Sequence, residues 1–180
     1  MNDQYTMEEP GSGASVRPIA MRYGLLTGLV SVIYSFILFI GGLSENTALS
    51  SLSYVFLIGG IVLAHKHFKK ENGGYLTYGQ GLGIGSLLSV VVGLMSGIFM
   101  YIYIKFIDGS VMDTIRDKQL AELEKRNMSE EQIEQAMAMA GKFMSPEMMV
   151  VYVVVGTLLM GFLLSLIISA ITKHTQPAYE

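Results

Sequence analysis

Cysteine is absent from the 180 residues. Disulfides, thiolate nucleophiles and cysteine-based metal sites are therefore excluded. Charge is also scarce: 15% of residues are Asp, Glu, Lys or Arg, against 51% hydrophobic. The scarcity is concentrated. Tyr23 to Leu43, Leu82 to Ile104 and Met148 to Thr172 contain none of the four. Each run is long enough to cross a hydrocarbon core as a helix, which takes about 20 residues. A fourth run, Ala48 to Ala64, sits at the lower edge of the spanning range, about 17 residues. No room is left for a large soluble domain. The expected fold is an all-α integral membrane protein with four transmembrane helices, at about 21–43, 48–66, 80–105 and 147–172.

Inside those spans two further things are missing. None contains proline or an obvious broken centre, and none places an ionisable residue at membrane depth. Secondary transporters and proton-coupled pumps usually show one or both features. His65 and Lys105 fall at span ends, where a polar tip can snorkel to the headgroups. The leader "MNDQYTMEEPGSGASVRP" is acidic and turn-rich rather than basic, and no A-x-A pattern follows the first apolar run. The expectation is an uncleaved first helix behind a disordered tail at 1–18, with a short C-terminal tail at 174–180.

Basic residues are unevenly placed. "GGLSENT" between the first two spans has no Lys or Arg, whereas "HKHFKKENGG" has Lys66, Lys69 and Lys70. Arg17 and Arg22 precede the first span, and Lys173 follows the last. The positive-inside rule puts both termini and the second connection in the cytoplasm, with these cations as a membrane-surface anchor. The third connection, 108–147, has five basic residues against nine acids. Its basic residues oppose an outside placement, but most lie far from the spans. Tyr23, Tyr75 and Tyr78 are expected at one interface, and Tyr101, Tyr103 and Tyr152 at the other.

That third connection has helix punctuation. Ser110 with Asp113, and better Ser129 with Gln132, have capping-box spacing. Ser145-Pro146-Glu147 reads as a cap, a proline at the first helical position and an acid in the first turn. An amphipathic hairpin is expected over about 110–144, turning at Asn127, with Glu122 and Arg126 paired one turn apart. Its second helix carries an apolar stripe of Ile133, Ala136, Met137, Ala140 and Met144. This stripe could face the first helix, a bilayer surface or a protein partner. Methionines recur nearby: Met128, Met137, Met139, Met144, Met148 and Met149. Thioethers can bind copper(I). Here they have no His or Cys beside them, and gap-filling on an apolar face is the better reading.

Against this scarcity of polar groups, glycine is plentiful and ordered. In "GQGLGIGSLLSVVVGLMSG" a small residue returns every fourth position: Gly81, Gly85, Ser89, Gly93 and Gly97, with Gly79 and Gly83 beside them. The fourth span repeats the pattern with Thr157, Gly161, Ser165 and Ser169. The first repeats it with Gly24 and Gly28, and with Thr27, Ser31 and Ser35. Lipid tails are as apolar as leucine, so membrane helices associate through close backbone approach, which small residues permit. The third helix is expected to be the hub, with the first or fourth against its small face. The same face could instead bind another subunit.

No catalytic constellation, cofactor or metal site is expected. "GLMSG" around Ser96 lacks a histidine on its side of the membrane. His65 and His67, two apart, do not share a helix face. No P-loop, dinucleotide fingerprint or nucleic-acid motif occurs.

The segments "RYGLLTGL", "GGYLTYGQGLGIG", "YIYIKFIDGSVMD" and "MSEEQIEQAMAMAGKFMSPEMM" together resemble a bacterial membrane-protein family known as domain of unknown function 4199. The resemblance covers about residues 18–173, and "GGYLTYGQG" and "FIDGS" are its more specific parts. It implies a four-helix inner-membrane protein of Gram-negative bacteria. It implies no activity and supplies no catalytic residues. The expected role is a non-catalytic accessory or scaffold subunit, with the lipid bilayer and a membrane-protein partner or a homo-oligomer around it. The alternative is small-solute transport or lipid handling through an oligomer, with Ser86, Ser89, Ser96 and Ser165 lining the path.

Overall fold

A computed structural model describes residues 14–175. They form six α-helices: α1 Val16–Ile40, α2 Thr47–Glu71, α3 Tyr78–Ile102, α4 Ser110–Lys125, α5 Glu130–Gly141 and α6 Pro146–Thr172. A π-helical segment, Tyr103–Ile107, prolongs α3. The helices α1, α2, α3 with its extension, and α6 are each long and apolar enough to cross a bilayer. The protein is thus an all-helical multi-pass membrane protein.

Each helix start has a chemical cause. Asn46 accepts from the N–H groups of Ala48 and Leu49 at 3.1 and 3.2 Å, covering two free donors of α2. Thr77 and Gln80 form a reciprocal capping box on α3. Ser129 and Gln132 do the same for α5. Ser145 caps α6 at the Met148 N–H, 3.2 Å away, with Pro146 in its first turn. Ser110 departs from the expected capping box. It is the first residue of α4, and Asp108 does the holding, accepting from its N–H at 3.0 Å and its hydroxyl at 2.6 Å.

The spans are longer than the charge-free runs, α1 and α2 among them. α1 starts at Val16 rather than near 21, so the expected tail at 1–18 is helical from there on. Pro18 lies in its first turn, where the missing N–H leaves no bond unmade. The rest of that tail, through residue 13, and the C-terminal tail from 176 lie outside the described residues. α2 continues through the cations to Glu71. A helix C-terminus favours positive charge, so Lys69 and Lys70 prolong it. Gly73 and Gly74, at φ +61° and +90°, then turn the chain towards α3.

α3 is the hub: α6, α1 and α2 all pack on it. Ile61, Phe68, Leu76, Ile84 and Leu88 are fully buried at the end where α2 meets α3. The outer faces are apolar and open, as with Leu25, Leu29, Ile33 and Ile37 on α1 and Leu159, Leu163 and Ile167 on α6. Such stripes suit lipid as the surrounding solvent. The π-helical segment turns Tyr103 inward, its ring 4.5 Å from that of Phe39. Tyr103 is therefore a bundle residue, not the interfacial anchor expected of it.

Candidate functional site

The small faces meet one another. A Cβ placed on Gly81 would fall 2.7 Å from the Ser169 hydroxyl. One on Gly85 would fall 2.8 Å from Ser165 Cβ, and one on Gly93 3.2 Å from the backbone of Val154. One on Gly97 would fall 3.0 Å from Val150 Cγ1. In the reverse direction Gly161 of α6 faces Ser89 of α3. The whole series from 81 to 97 thus lies against α6. Gly24 and Gly28 of α1 lie against another side of α3, at Val91 and Met95. Gly60 of α2 receives Thr27. Gly79 has nothing within 4 Å, and Gly83 meets only Val16. At Gly81, Gly85 and Gly161 the atom nearest to such a Cβ is a serine hydroxyl oxygen. Ser165 and Ser169 are buried, with hydroxyls that have no conventional partner.

Sequence reasoning missed the group at the centre of this end. His65 is fully buried. Its Nε2 lies 2.9 Å from the Gly81 carbonyl of α3, and its Nδ1 lies 2.8 Å from Thr172 Oγ1 of α6. A carbonyl only accepts, so Nε2 carries the proton. Thr172 also lies 2.8 Å from the Ile168 carbonyl, so its single hydroxyl proton serves either that oxygen or Nδ1. A Cβ on Gly81 would stand 3.2 Å from His65 Cε1, so the glycine is what admits the ring. One side chain on α2 therefore ties α3 to α6. His65 does not snorkel and does not join the surface cations. Its signal was its register: Leu57, Ile61 and His65 recur at four-residue spacing on the buried face of α2.

Around this node the end is closed. Leu76 and His174 exchange both backbone hydrogen bonds at 2.8 Å, joining the α2–α3 turn to the chain after α6. The rings of Tyr75 and His174 stack at 5.4 Å. His67 bonds Glu71 at 2.9 Å. Arg17, Arg22, Lys66 and Lys70 are exposed, and Lys69 is half-buried. The ring contact between Tyr23 and His67 at 5.6 Å brings the start of α1 beside the end of α2, so these cations share one end of the bundle.

The hairpin is the opposite kind of object. α5 has a capping box and the start of α4 is held by Asp108, yet neither helix buries a residue. Ile133, Met137, Ala140 and Met144 are half-buried, and Met137 and Met144 share a groove of about 400 Å³ with Met112 of α4. Asp113 and Arg116 also line that groove, one charge of each sign. Met139 and Phe143 are 68% and 55% exposed. An ion pair of Lys118 with Glu45 joins α4 to the α1–α2 loop, and one of Lys105 with Glu147 at 3.7 Å joins the end of the α3 extension to the start of α6. Among the described residues no three His, Asp or Glu side chains form a metal-binding group. The four serines expected to line a path separate: Ser89 donates to the Gly85 carbonyl at 2.7 Å and Ser165 sits in the α3–α6 contact. Only Ser96 of the four borders one of the cavities described for this chain.

No curated protein and no solved structure matches the chain. Residues 22–174 match the family described as Protein of unknown function (DUF4199), and the chain belongs to that family.

Proposed function

We propose that this chain is a non-catalytic accessory or scaffold subunit of the bacterial inner membrane. Both termini face the cytoplasm, and the α4–α5 hairpin is presented on the other side to a membrane-protein partner. The observation behind this reading is an ordered two-helix structure without a core of its own. Two helices that bury nothing gain little from each other, so their order points to an external contact. The net charge of −4 over residues 108–147 disfavours an anionic bilayer surface and favours protein.

A photo-crosslinking residue at Met139 of the full chain, in its native membrane, tests the proposal. One defined adduct is expected, and it is expected to vanish when Ile133 and Met137 are both changed to Glu. Adducts with lipid alone, or the same adducts in the charged variant, would overturn the partner role. Native mass spectrometry of gently extracted protein gives an independent reading, with a defined hetero-complex expected. A homo-oligomer carrying only lipid would refute the accessory role.

A further inference from the structure

The two ends of the bundle are built differently. None of the residues Thr47–Phe56, the first turns of α2, is buried, whereas Leu57, Ile61, Ala64, His65 and Phe68 are. α2 is thus sealed to its neighbours at the His65 end, while its first turns are less buried and hold to α1 through Tyr34, whose hydroxyl donates to the Leu49 carbonyl at 2.9 Å and whose ring lies 5.1 Å from that of Phe56. The space left open is a cleft of about 200 Å³. All four spanning helices contribute hydroxyls to it: Ser31 and Ser35 from α1, Ser50 and Ser53 from α2, Ser96 from α3 and Thr157 from α6. Tyr54 stands at its side, while the buried Leu57 and Val92 also line it. A smaller chamber of about 120 Å³ shares Ser35, Ser50 and Ser53 and reaches Ser44 in the α1–α2 loop. Glu45, next along the chain, is the residue held by Lys118 of the hairpin.

A single serine in a membrane helix implies nothing, because its hydroxyl can bond the carbonyl one turn back, as Ser89 does. Six hydroxyls from four helices around one concavity are a different matter. No charged side chain lines either chamber. A charged ligand would lose its hydration without an opposite charge to replace it. The Ser50 hydroxyl already donates to the Ser44 carbonyl at 3.0 Å, and an apolar ligand would leave the others unpaired. The complementary ligand is small, neutral and able both to donate and to accept, and the Tyr54 ring offers a face to its C–H groups. Beyond Leu57 and Val92 lies the fully buried layer of Ile61, Ile84 and Leu88, so the cleft is blind. We propose that this cleft is a hydrated binding site for a small uncharged polyol, reached from the α1–α2 loop end.

The absence of cysteine makes a direct test possible. Single variants Ser53→Cys and Ser96→Cys of the full chain, in nanodiscs, are treated with a charged methanethiosulfonate reagent. Lipid-facing Val155→Cys and exposed Lys142→Cys serve as low and high references. Both cleft cysteines are expected to react severalfold faster than Val155→Cys. Erythritol or glycerol is expected to slow them severalfold relative to Lys142→Cys, which removes the effect of viscosity. Glycerol phosphate and a short alkanol are expected to have no such effect. Reaction no faster than at Val155→Cys would show a dry cleft and overturn the proposal. Reaction unaffected by polyol would leave water alone in the cleft and also overturn it. Protection by glycerol phosphate or alkanol instead would refute the neutral-polyol class. Two sites on different helices guard against one variant failing to fold.

Discussion

Replacing Gly85 by alanine probes a contact between α3 and α6 where a side chain has too little room. The new Cβ would lie 2.8 Å from Ser165 Cβ and 3.4 Å from Ile61 Cγ2. Carbon atoms are comfortable at about 3.5–4.0 Å, so α6 must retreat by about 1 Å. Rotating the Ser165 hydroxyl moves its oxygen but leaves its Cβ in place. Overpacking of this kind costs about 1–3 kcal/mol. Alanine recovers about 1 kcal/mol through its better helix propensity. The expected net loss for Gly85→Ala is up to about 2 kcal/mol. Ser165→Gly in the same chain removes the obstructing atoms, so the pair should be less harmful than the sum of its parts. The coupling expected of such touching residues is about 0.5–3 kcal/mol. Unfolding titrated with sodium dodecyl sulfate from mild-detergent micelles, followed by far-ultraviolet circular dichroism, measures all four corners of the cycle. Gly79→Ala, with nothing within 4 Å, is the reference for propensity alone. If Gly85→Ala matches Gly79→Ala, or Ser165→Gly fails to relieve it, the close-approach argument is wrong.

The other predictions concern polar contacts and local order. His65→Phe keeps an aromatic ring but loses the bonds to Gly81 and Thr172; the same titration should show a loss of about 1–3 kcal/mol, and an unchanged midpoint would remove the node from the account of stability. The Asp108 carboxyl is held below the usual carboxylate range by the Ser110 hydroxyl first and its N–H second. The stabilisation it gives the start of α4 should be complete above about pH 4 and fade as pH falls through the lowered value. Amide exchange at residues 110–112, corrected for intrinsic rate, should show that fading, and Asp108→Asn should abolish its pH dependence. Lys118→Gln breaks an ion pair between exposed side chains and should move the unfolding midpoint by no more than about 1 kcal/mol; a larger shift would mean the hairpin is part of the bundle's fold. Hydrogen exchange should be faster over Thr47–Tyr54 than over Leu57–Phe68, since only the second half of α2 is buried; equal protection would contradict an opened end.

The spans and the hairpin were legible because their signals are local. Freedom from charge marks a span, and Ser129-x-x-Gln132 or Ser145-Pro146 marks a helix start whatever surrounds it. The small-residue rows also declared themselves, since a period of four on an apolar helix has few other uses. What stayed hidden depended on which neighbour stands opposite. His65 sits beside four lysines and histidines in "HKHFKK", and by composition it belongs with them. Only the register of α2 separates it, turning Lys66 outward and His65 into the bundle. Ser110 misled for a similar reason: capping-box spacing was present, but the backbone at Gly109 is already helical and Asp108 had the better reach. The hydroxyl cleft was legible only in fragments, Ser31 and Ser35 at four-residue spacing, Thr157 in the small row of α6 and Ser96 among the path-lining serines, because no spacing links residues of four different helices.

In a membrane every polar group must find a partner inside the protein or in trapped water. At the His65 end the chain meets much of that demand with direct bonds, the ring Nε2–H to the Gly81 carbonyl, Nδ1 against the Thr172 hydroxyl and two backbone bonds between Leu76 and His174, and leaves the Ser169 hydroxyl beside Gly81 without one. At the other end it gathers serines around open space instead. The first solution fixes a distance between three helices and leaves little to vary. The second holds one hydroxyl, that of Ser50 on the Ser44 carbonyl, and leaves the others able to exchange one partner for another, which is what a binding site requires and a structural joint does not. The hairpin is attached beside this second end, through Lys118 and Glu45, one residue from Ser44 at the smaller chamber. Whatever the hairpin contacts is therefore placed to sense, or to alter, what occupies the cleft, while the histidine end serves as the fixed frame against which either change is made.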